Sequence, residues 1–564
     1  MGTADDFLSI FKLEASTISV TFSLFLVFMG LLYWYSVSPF SVLSRCGIKH
    51  PKPVPFFGNM LMFRNGFLRP LTDITKTYGK ISGYYLGRRP VVLVADPDLL
   101  RQVMVKDFSN FSNRMFIVTT KPMKDGLLRL RDERWKRVRS ILTPSFSAAK
   151  LKEMVPLINT AVVSLMDNLN NHAESGKAFD IYRCFGCFTM DVIINVAFGT
   201  QVDSQKNPDD PLVQHANMFF TMPFLKPLTF VFLFFLCPTF MTPLVRLIPN
   251  KRQVQIDKFF ISSIQKIIKQ REEQPPDQRR RDLLQLILDA RTGHESVSLE
   301  HFDTLNHSDE FGDRSQETQP SASKREPSGP HPEESLINCP QKRTLTEDEI
   351  VGQSLVVLLA GYETSSNTLG FCCYLLALHP ECQHKVQEEV DEFFKRHEST
   401  DYGNVQELKY LDMVISETLR LYPPGFRYTR EVEHDCVING QFLPKGVLLD
   451  IFPGFFHLDP DHWPEPEKFI PERFTPEAKA SRHPFAYLPF GAGPRNCVGM
   501  RLAQLEMKMA LVHLFHRFNI VACSETKVPL NLKSFGTLGP KDGIFVKVTR
   551  RNQGEETNDP QSDY

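Results

Sequence analysis

The run from Phe490 to Gly499 constrains the chain more than any other segment. It reads Phe-Gly-Ala-Gly-Pro-Arg-Asn-Cys-Val-Gly and places Cys497 shortly after Arg495. A cysteine binds metal as a thiolate, which needs positive charge or hydrogen-bond donors nearby to stay ionised at neutral pH. Glycines let backbone N–H groups approach the sulfur and let the chain pass close to a flat cofactor. The loop predicts a thiolate ligand to haem iron, and the alternative is a buried cysteine in a turn.

The spacing Phe-x-x-Gly-x-Arg-x-Cys-x-Gly in this run resembles the haem-binding loop of the cytochrome P-450 superfamily. The resemblance implies the superfamily's fold, which is mostly α with minor β, and haem b as the cofactor. It also implies that Cys497 is the axial ligand of the iron, and that Phe490 and Arg495 contact the cofactor.

A second segment offers groups that suit the two propionates of a haem. Trp135 and Arg139 are one helical turn apart, which puts an indole N–H and a guanidinium on the same helix face. Arginine suits carboxylates because its donors form a planar fork. An exposed basic helix is the alternative. The run resembles the propionate-binding helix of the superfamily, and the resemblance adds Arg114, Arg430 and Arg495 as further propionate partners.

Two further motifs carry charged side chains upstream of the cysteine loop. Glu417 and Arg420 form an E-x-x-R pair at helical spacing, and Arg473 lies in the run Pro471-Glu-Arg-Phe474. An isolated pair on a helix surface contributes little to stability. The resemblance implies instead a buried network of these three side chains that holds the cysteine loop in place, which is a structural role.

The run from Ala360 to Ser365 reads Ala-Gly-Tyr-Glu-Thr-Ser inside a long apolar helical pattern. A glycine and a hydroxyl residue in mid-helix weaken the hydrogen-bond ladder and can bend the helix. The alternative is that Thr364 bonds only to its own backbone. The run resembles the oxygen-binding groove of the superfamily's monooxygenases. The resemblance implies that Glu363 and Thr364 are catalytic residues, together with Cys497, and deliver protons to iron-bound dioxygen.

Periodicity predicts a mostly helical chain with a minor sheet component. Val356 to Leu376 and Leu411 to Leu421 have clear helical periods, and Thr346 to Glu349 has the pattern of a capping box at a helix start. Gly83 to Ala95 predicts a β-hairpin that turns near Gly87. Further strands are expected after Arg430.

Composition along the chain suggests its domain organisation. We expect an anchor and its flank over residues 1–50, one catalytic domain over 51–550 and a disordered tail over 551–564. Residues 293–343 are rich in Ser, Pro and charged residues and predict a flexible surface insertion. Residues 227–245 are uncharged but interrupted by prolines. We interpret them as a segment that dips into the membrane face or covers a substrate entrance; a second span and a pair of core helices are the alternatives.

The segment from Ala15 to Tyr35 is uncharged and long enough to cross a bilayer. Its apolar run ends in an aromatic cluster, which suits the membrane interface. A cleaved signal peptide is the alternative, but its apolar core is shorter and ends in small residues. Acidic residues precede the segment, and Arg45, Lys49 and Lys52 follow it. The positive-inside rule then puts the catalytic domain in the cytosol, and the expected location is the endoplasmic reticulum membrane.

Charge and cysteine content exclude two other classes of protein. The net charge is zero, so no electrostatic attraction to nucleic acid is expected. The 11 cysteines are odd in number and irregularly spaced, and a chain of 564 residues can form a core without a disulfide framework, so none is expected. Cys184 and Cys187 form a C-x-x-C that lacks a second pair or a histidine, so a structural role is expected.

Longer stretches resemble a branch of the superfamily that rearranges a lipid endoperoxide. They include Gly83–Arg89, Phe111–Met115, Glu153–Leu157 and Arg279–Asp282. The resemblance implies an isomerase that converts prostaglandin H2 to thromboxane A2, with 12-hydroxy-heptadecatrienoic acid and malondialdehyde as fragmentation products. The substrate brings its own O–O bond, so dioxygen, NADPH and a reductase are not needed.

Two other functions stay open. The first is an NADPH- and O2-dependent monooxygenase of steroids, fatty acids or drug-like lipophiles, which would need a cytochrome reductase as partner. The second is a haem-binding sensor or carrier without turnover. Thr364 and Ser365 keep the monooxygenase pattern, whereas mammalian members of the endoperoxide branch carry an aliphatic residue in the groove. This departure is the main support for the monooxygenase alternative.

Overall fold

The computed structural model describes residues 3–115, 122–207, 209–221, 251–280, 282–292 and 344–551. Three segments interpreted from the sequence lie outside these ranges: residues 227–245, the expected insertion at 293–343 and nearly all of the expected tail. The described part is mostly helical with small sheets, as predicted.

The elements alternate between long helices and short strands. The helices of ten or more residues in the described part are α1 Thr3–Val37, α2 Leu68–Tyr78, α3 Asp132–Leu142, α4 Ala148–Ser175, α5 Ile181–Phe198, α6 Pro211–Phe220, α7 Lys251–Glu272, α8 Leu283–Thr292, α9 Glu347–Leu378, α10 Pro380–Arg396, α11 Lys409–Leu421 and α12 Met500–Arg517. The strands there are β1 Ile81–Leu86, β2 Arg89–Val94, β3 Phe179–Asp180, β4 Tyr428–Glu431, β5 Cys436–Ile438, β6 Gln441–Leu443, β7 Leu448–Ile451, β8 Phe518–Val521, β9 Leu532–Ser534, β10 Leu538–Pro540 and β11 Phe545–Arg550.

The central helix α9 begins at the predicted capping box. Thr346 Oγ1 accepts a hydrogen bond from Glu349 N at 3.2 Å, and Thr346 N donates to Glu349 Oε2 at 3.0 Å. The helix is buried along most of its length and packs against α5. At the crossing, a Cβ added to Gly361 would lie 2.7 Å from Ile193 Cδ1, so the glycine permits the close approach of the two helices.

The largest sheet has the strand order β1-β2-β7-β4. The predicted hairpin is confirmed, because β1 and β2 pair antiparallel and turn at Gly87, which has a φ of +59°. Strand β7 pairs parallel to β2, and β4 pairs antiparallel to β7, with Arg430 opposite Leu449. Tyr84 Oη of β1 donates to Asp450 Oδ2 of β7 at 2.6 Å, which links two parts of the sheet that are far apart in the chain.

The N-terminal helix differs from the rest in its exposure. The stretch from Thr17 to Arg45 is long and apolar enough to cross a membrane, and its apolar window of 18 residues is 0% buried inside the protein. At the C-terminal end of this stretch and just beyond it, Leu43 and Ile48 are buried against the large sheet, and Leu43 N donates to Tyr85 Oη at 3.1 Å. Helix α5 is also long and apolar enough to cross a membrane, but it is 83% buried inside the protein, as expected of a core helix. The helix is thus attached to the folded body through a packed junction.

Candidate cofactor and active site

The cysteine loop is folded back on itself by backbone contacts. Cys497 N donates to Phe490 O at 2.9 Å, and the side chain of Cys497 is exposed. Gly491 and Gly493 have φ values of +75° and +68°, which favour glycine. Gly493 also lies directly against the carbonyl oxygen of Met104, where a Cβ would not fit. The local sequence therefore presents one thiol at the tip of a rigid loop.

Two arginines fix this loop to the body of the protein. Arg495 Nε donates to Ser112 O at 2.8 Å and its Nη2 to Leu130 O at 3.0 Å, while its guanidinium lies 4.0 Å from the ring centre of Trp135. Arg139, from α3, donates to the carbonyl and side-chain oxygens of Asn496 at 3.0 and 2.7 Å. Helix α3 therefore holds the residue immediately before the cysteine.

Arg114 and Arg430 add two more guanidinium groups to this place. Arg114 Nη2 donates to Arg495 O at 3.5 Å, and Arg430 is buried on β4. Burial and repulsion by neighbouring arginines lower the pKa of Arg114 to about 10, that of Arg430 to about 9 and that of Arg495 to about 8. Within the described ranges, none of these side chains forms an ion pair with a carboxylate. Arg114 Nε, Arg430 Nε and Arg495 Nη1 are buried without a hydrogen-bond partner.

This arginine cluster, Arg114, Arg139, Arg430 and Arg495, fits a cofactor that carries carboxylates. Buried cations are normally paired, so unpaired donors from several elements indicate an anionic ligand between them. Arg114 and Arg139 also interact electrostatically with Cys497, and their charges favour a thiolate. No group of three or more His, Cys, Asp or Glu side chains in the described residues could hold a metal ion by itself. A haem, which brings two propionates and needs one protein thiolate, fits this donor set.

The predicted network beneath the loop is present and buried. Glu417 and Arg420 are 0% exposed, with Nε–Oε2 and Nη2–Oε1 distances of 2.7 Å, and Arg473 Nε lies 3.3 Å from Glu417 Oε1. Arg420 also donates to the carbonyl of His457 at 2.9 Å. Leu488 N in turn donates to His457 Nε2 at 2.8 Å, just before the loop begins. Burial and the charge of Arg420 lower the pKa of His457 to about 3, so the imidazole is neutral.

The two acidic and hydroxyl residues of α9 have separate surroundings. Glu363 is buried and forms an ion pair with Lys533 Nζ at 2.8 Å. It also accepts from Tyr182 Oη at 3.2 Å and from Thr537 Oγ1 at 3.3 Å. Thr364 is only partly buried, and its Oγ1 donates to Ala360 O at 2.7 Å inside the same helix. The Thr364 hydroxyl therefore bonds to the backbone of its own helix, which is the alternative given for it in the sequence analysis.

The structure thus brings together Cys497, Phe490, Arg495, Arg139, Arg114, Arg430 and Trp135, and it does not join Glu363 to Thr364. Sequence reasoning missed His457 and Lys533. His457 is a single histidine outside any motif, and no signal marks it. Lys533 lies in the short strand β9, and no local motif marks it. Its role is visible only in the structure, where it forms an ion pair with Glu363 of α9.

Comparison with known proteins agrees with this geometry. A family model described as Cytochrome P450 matches residues 48–319 and 334–548. Thromboxane-A synthase of Sus scrofa is 46% identical over 534 residues, covering 94% of this chain and 97% of that protein. Thromboxane-A synthase of Macaca fascicularis is 46% identical over 546 residues, covering 96% and 99%. Cytochrome P450 3A6 of Oryctolagus cuniculus is 37% identical over 546 residues, covering 96% and 98%.

Proposed function

The chain belongs to the cytochrome P450 family, and we propose that it is a haem-thiolate isomerase that converts prostaglandin H2 to thromboxane A2. The observation that carries the proposal is the 46% identity to thromboxane-A synthases along almost the whole chain, against 37% to cytochrome P450 3A6. Part of the substrate is expected to fragment to 12-hydroxy-heptadecatrienoic acid and malondialdehyde.

In this proposal Cys497 binds the iron, and the arginine cluster binds the propionates. The ring of Trp135 packs against the guanidinium of Arg495, and the carbonyl of Phe490 accepts a hydrogen bond from the amide of Cys497. When bound, the haem would supply one-electron chemistry at an O–O bond, whose cleavage the electron density of a cysteine thiolate would favour. The protein's task is to hold an apolar lipid in place and to exclude water.

The surroundings of Glu363 suit an isomerase. Substrate and product contain the same atoms, so the rearrangement has no net demand for protons, electrons or dioxygen. A proton-delivering acid is therefore unnecessary, and Glu363 can serve as a structural partner of Lys533. In a monooxygenase, by contrast, the ion pair would have to open before Glu363 could exchange a proton.

The decisive experiment gives prostaglandin H2 to the purified, haem-loaded protein without NADPH or reductase. We expect thromboxane B2, the hydrolysis product of thromboxane A2, together with the hydroxy acid and malondialdehyde. Cys497→Ala is the control and should lose both the products and the reduced-CO absorption band of thiolate haem. Absence of thromboxane B2 from the wild-type reaction rejects the isomerase.

An NADPH-dependent monooxygenase is the second candidate, because Thr364 keeps a hydroxyl in the groove and Cytochrome P450 3A6 is a full-length relative. Its support would be turnover of a lipophilic substrate only when reductase and NADPH are present. The same experiment, run with and without these components, separates the two candidates.

The proposed location is the endoplasmic reticulum membrane with the catalytic domain in the cytosol. The exposed apolar helix supports membrane anchoring. The basic residues Arg45, Lys49 and Lys52 follow it, which supports the cytosolic orientation.

A further inference from the structure

Arg129 lies in the segment that precedes α3, and it differs from the other cations around the site. Its side chain is partly buried, and burial lowers its pKa. Within the described residues its guanidinium has neither a hydrogen bond nor an ion pair. It is close enough to Arg114 to lower the pKa of that residue, second only to burial as a cause. A half-buried cation beside another cation is unfavourable unless an anion joins it.

The residues on either side of Arg129 in the chain contact two elements of the site. Leu127 N donates to Gln353 Oε1 of α9 at 2.7 Å, and Gln353 Nε2 donates to Asp125 O at 2.6 Å. On the other side, Leu130 O accepts from Arg495 of the cysteine loop at 3.0 Å. The chain between these contacts therefore connects α9 to the cysteine loop, and it carries Arg129 beside Arg114 of the arginine cluster.

Three other cations in the described part of the chain have carboxylate partners. Lys533 pairs with Glu363 at 2.8 Å, Arg131 with Glu431 at 2.6 Å, and Arg427 with Asp450 at 2.9 Å. The arginine cluster exceeds the two charges that propionates supply, so Arg129 is not needed for the cofactor.

From this arrangement we infer that Arg129 binds the carboxylate of the substrate and so determines selectivity for fatty acids over neutral lipids. The inference rests on the proposed function, because prostaglandin H2 carries one carboxylate on a flexible apolar chain. A planar guanidinium would hold that carboxylate by paired hydrogen bonds, while the apolar chain extends toward the cofactor.

The test compares binding of arachidonic acid and its methyl ester, as stable probes, to the haem-loaded full-length protein by equilibrium dialysis. We expect the wild type to prefer the acid by about tenfold, since one charge-assisted contact is worth roughly one decade in affinity. Arg129→Leu should lose this preference while binding the ester as before. Arg129→Lys should keep part of it, and Lys124→Met, an exposed lysine of the same segment, should keep all of it.

Three outcomes overturn the inference: no acid preference in the wild type, an unchanged preference in Arg129→Leu, or loss of haem from that variant. Loss of haem would assign Arg129 to the cofactor, and unchanged ester binding shows that the variant is folded. The result is independent of thromboxane formation. If the wild type makes no thromboxane B2 but Arg129→Leu loses the acid preference, the inference holds for another carboxylate-bearing lipid and the isomerase proposal fails.

Discussion

His457 connects the charged network beneath the loop to the loop itself through single atoms. Its carbonyl accepts from Arg420, and its Nε2 accepts from Leu488 N. The second bond requires a nitrogen without a proton, and the buried site beside Arg420 disfavours the imidazolium. One neutral histidine thus maintains both the network and the start of the cysteine loop.

This residue gives the protein a specific sensitivity to acid. The pKa of His457 is lowered to about 3 in the folded state, from an ordinary value of 6.5. The unfolded chain therefore binds a proton that the folded chain excludes, and stability present above pH 6.5 is lost as pH falls toward 3. The loss from this residue amounts to about 1.4 kcal/mol per pH unit across that window.

We expect His457→Gln, whose amide oxygen can still accept from Leu488 N, to have a smaller decrease in thermal midpoint between pH 7 and pH 5 than the wild type. His513 offers a matched comparison, because burial lowers its pKa to about 4 without a link to the loop. His513→Gln should also reduce the decrease in thermal midpoint between pH 7 and pH 5. It should leave the pH dependence of the thiolate haem absorption band as in the wild type, because His513 has no link to the loop. Identical slopes in His457→Gln and wild type would contradict the assignment.

Among the elements, α9 carries the contacts that set the shape of the site. Its first turn is capped, and Gln353 accepts a hydrogen bond from the segment before α3. Gly361 leaves room for the close approach of α5, and Glu363 forms an ion pair with Lys533 of β9. The last contact ties a C-terminal strand to the middle of the helix. Both partners are largely removed from water, so loss of either one would leave a buried charge without its partner.

The ion pair can be tested by infrared spectroscopy of the carboxyl group. In Lys533→Met the buried Glu363 should take up a proton, because burial without a cation disfavours the carboxylate. A carbonyl band of a protonated acid should therefore appear at pH 7 in the difference spectrum against wild type. It should be absent from Lys533→Met/Glu363→Gln. The single variant should also lose roughly 3 kcal/mol of stability. Absence of the difference band would show that loss of the Lys533 charge does not change the protonation of Glu363.

The elements differ in how far their sequence predicts them. The capping box at Thr346 and the hairpin at Gly87 depend on neighbouring residues, so the sequence predicts them directly. Helix α1, Thr3–Val37, extends beyond the uncharged segment Ala15 to Tyr35 at both ends, because an uncharged run predicts bilayer contact and not the ends of the helix. Parallel pairing of β2 with β7 leaves no local signal, since the two strands are far apart in the chain.

The site shows the same division between local pattern and long-range contact. The loop around Cys497 and the E-x-x-R pair are recognisable from spacing, but each arginine alone has an ordinary surface interpretation. Arg430 becomes significant only because β4 buries it beside Arg114. Lys533 and His457 could not be predicted, because their partners lie on other elements.

At the scale of the whole molecule, the exposed apolar helix α1 and the folded body share a boundary that can be mapped by truncation. Removal of residues 2–37 leaves Leu43 and Ile48 in place, so the body should stay folded, retain haem and bind vesicles more weakly. Removal of residues 2–50 takes away both buried side chains and should lower stability by roughly 3 kcal/mol or more.

Thermal midpoints and co-sedimentation with phosphatidylcholine vesicles provide the measurements for the two truncations. Leu43→Ala in the full-length chain is the matched control, because it removes the packing without removing the helix. Equal midpoints for both truncations would place the boundary of the folded body after residue 50.

The Tyr84–Asp450 bond has a consequence for how the protein is made. It joins residues 366 positions apart, within a sheet whose parallel strands come from the two ends of the chain. The first hairpin is synthesised early, but its sheet is incomplete until β7 leaves the ribosome. Contacts of such high contact order form slowly. The N-terminal hairpin therefore exposes an unpaired strand edge through most of translation, and an edge of this kind can pair with other chains until β7 covers it.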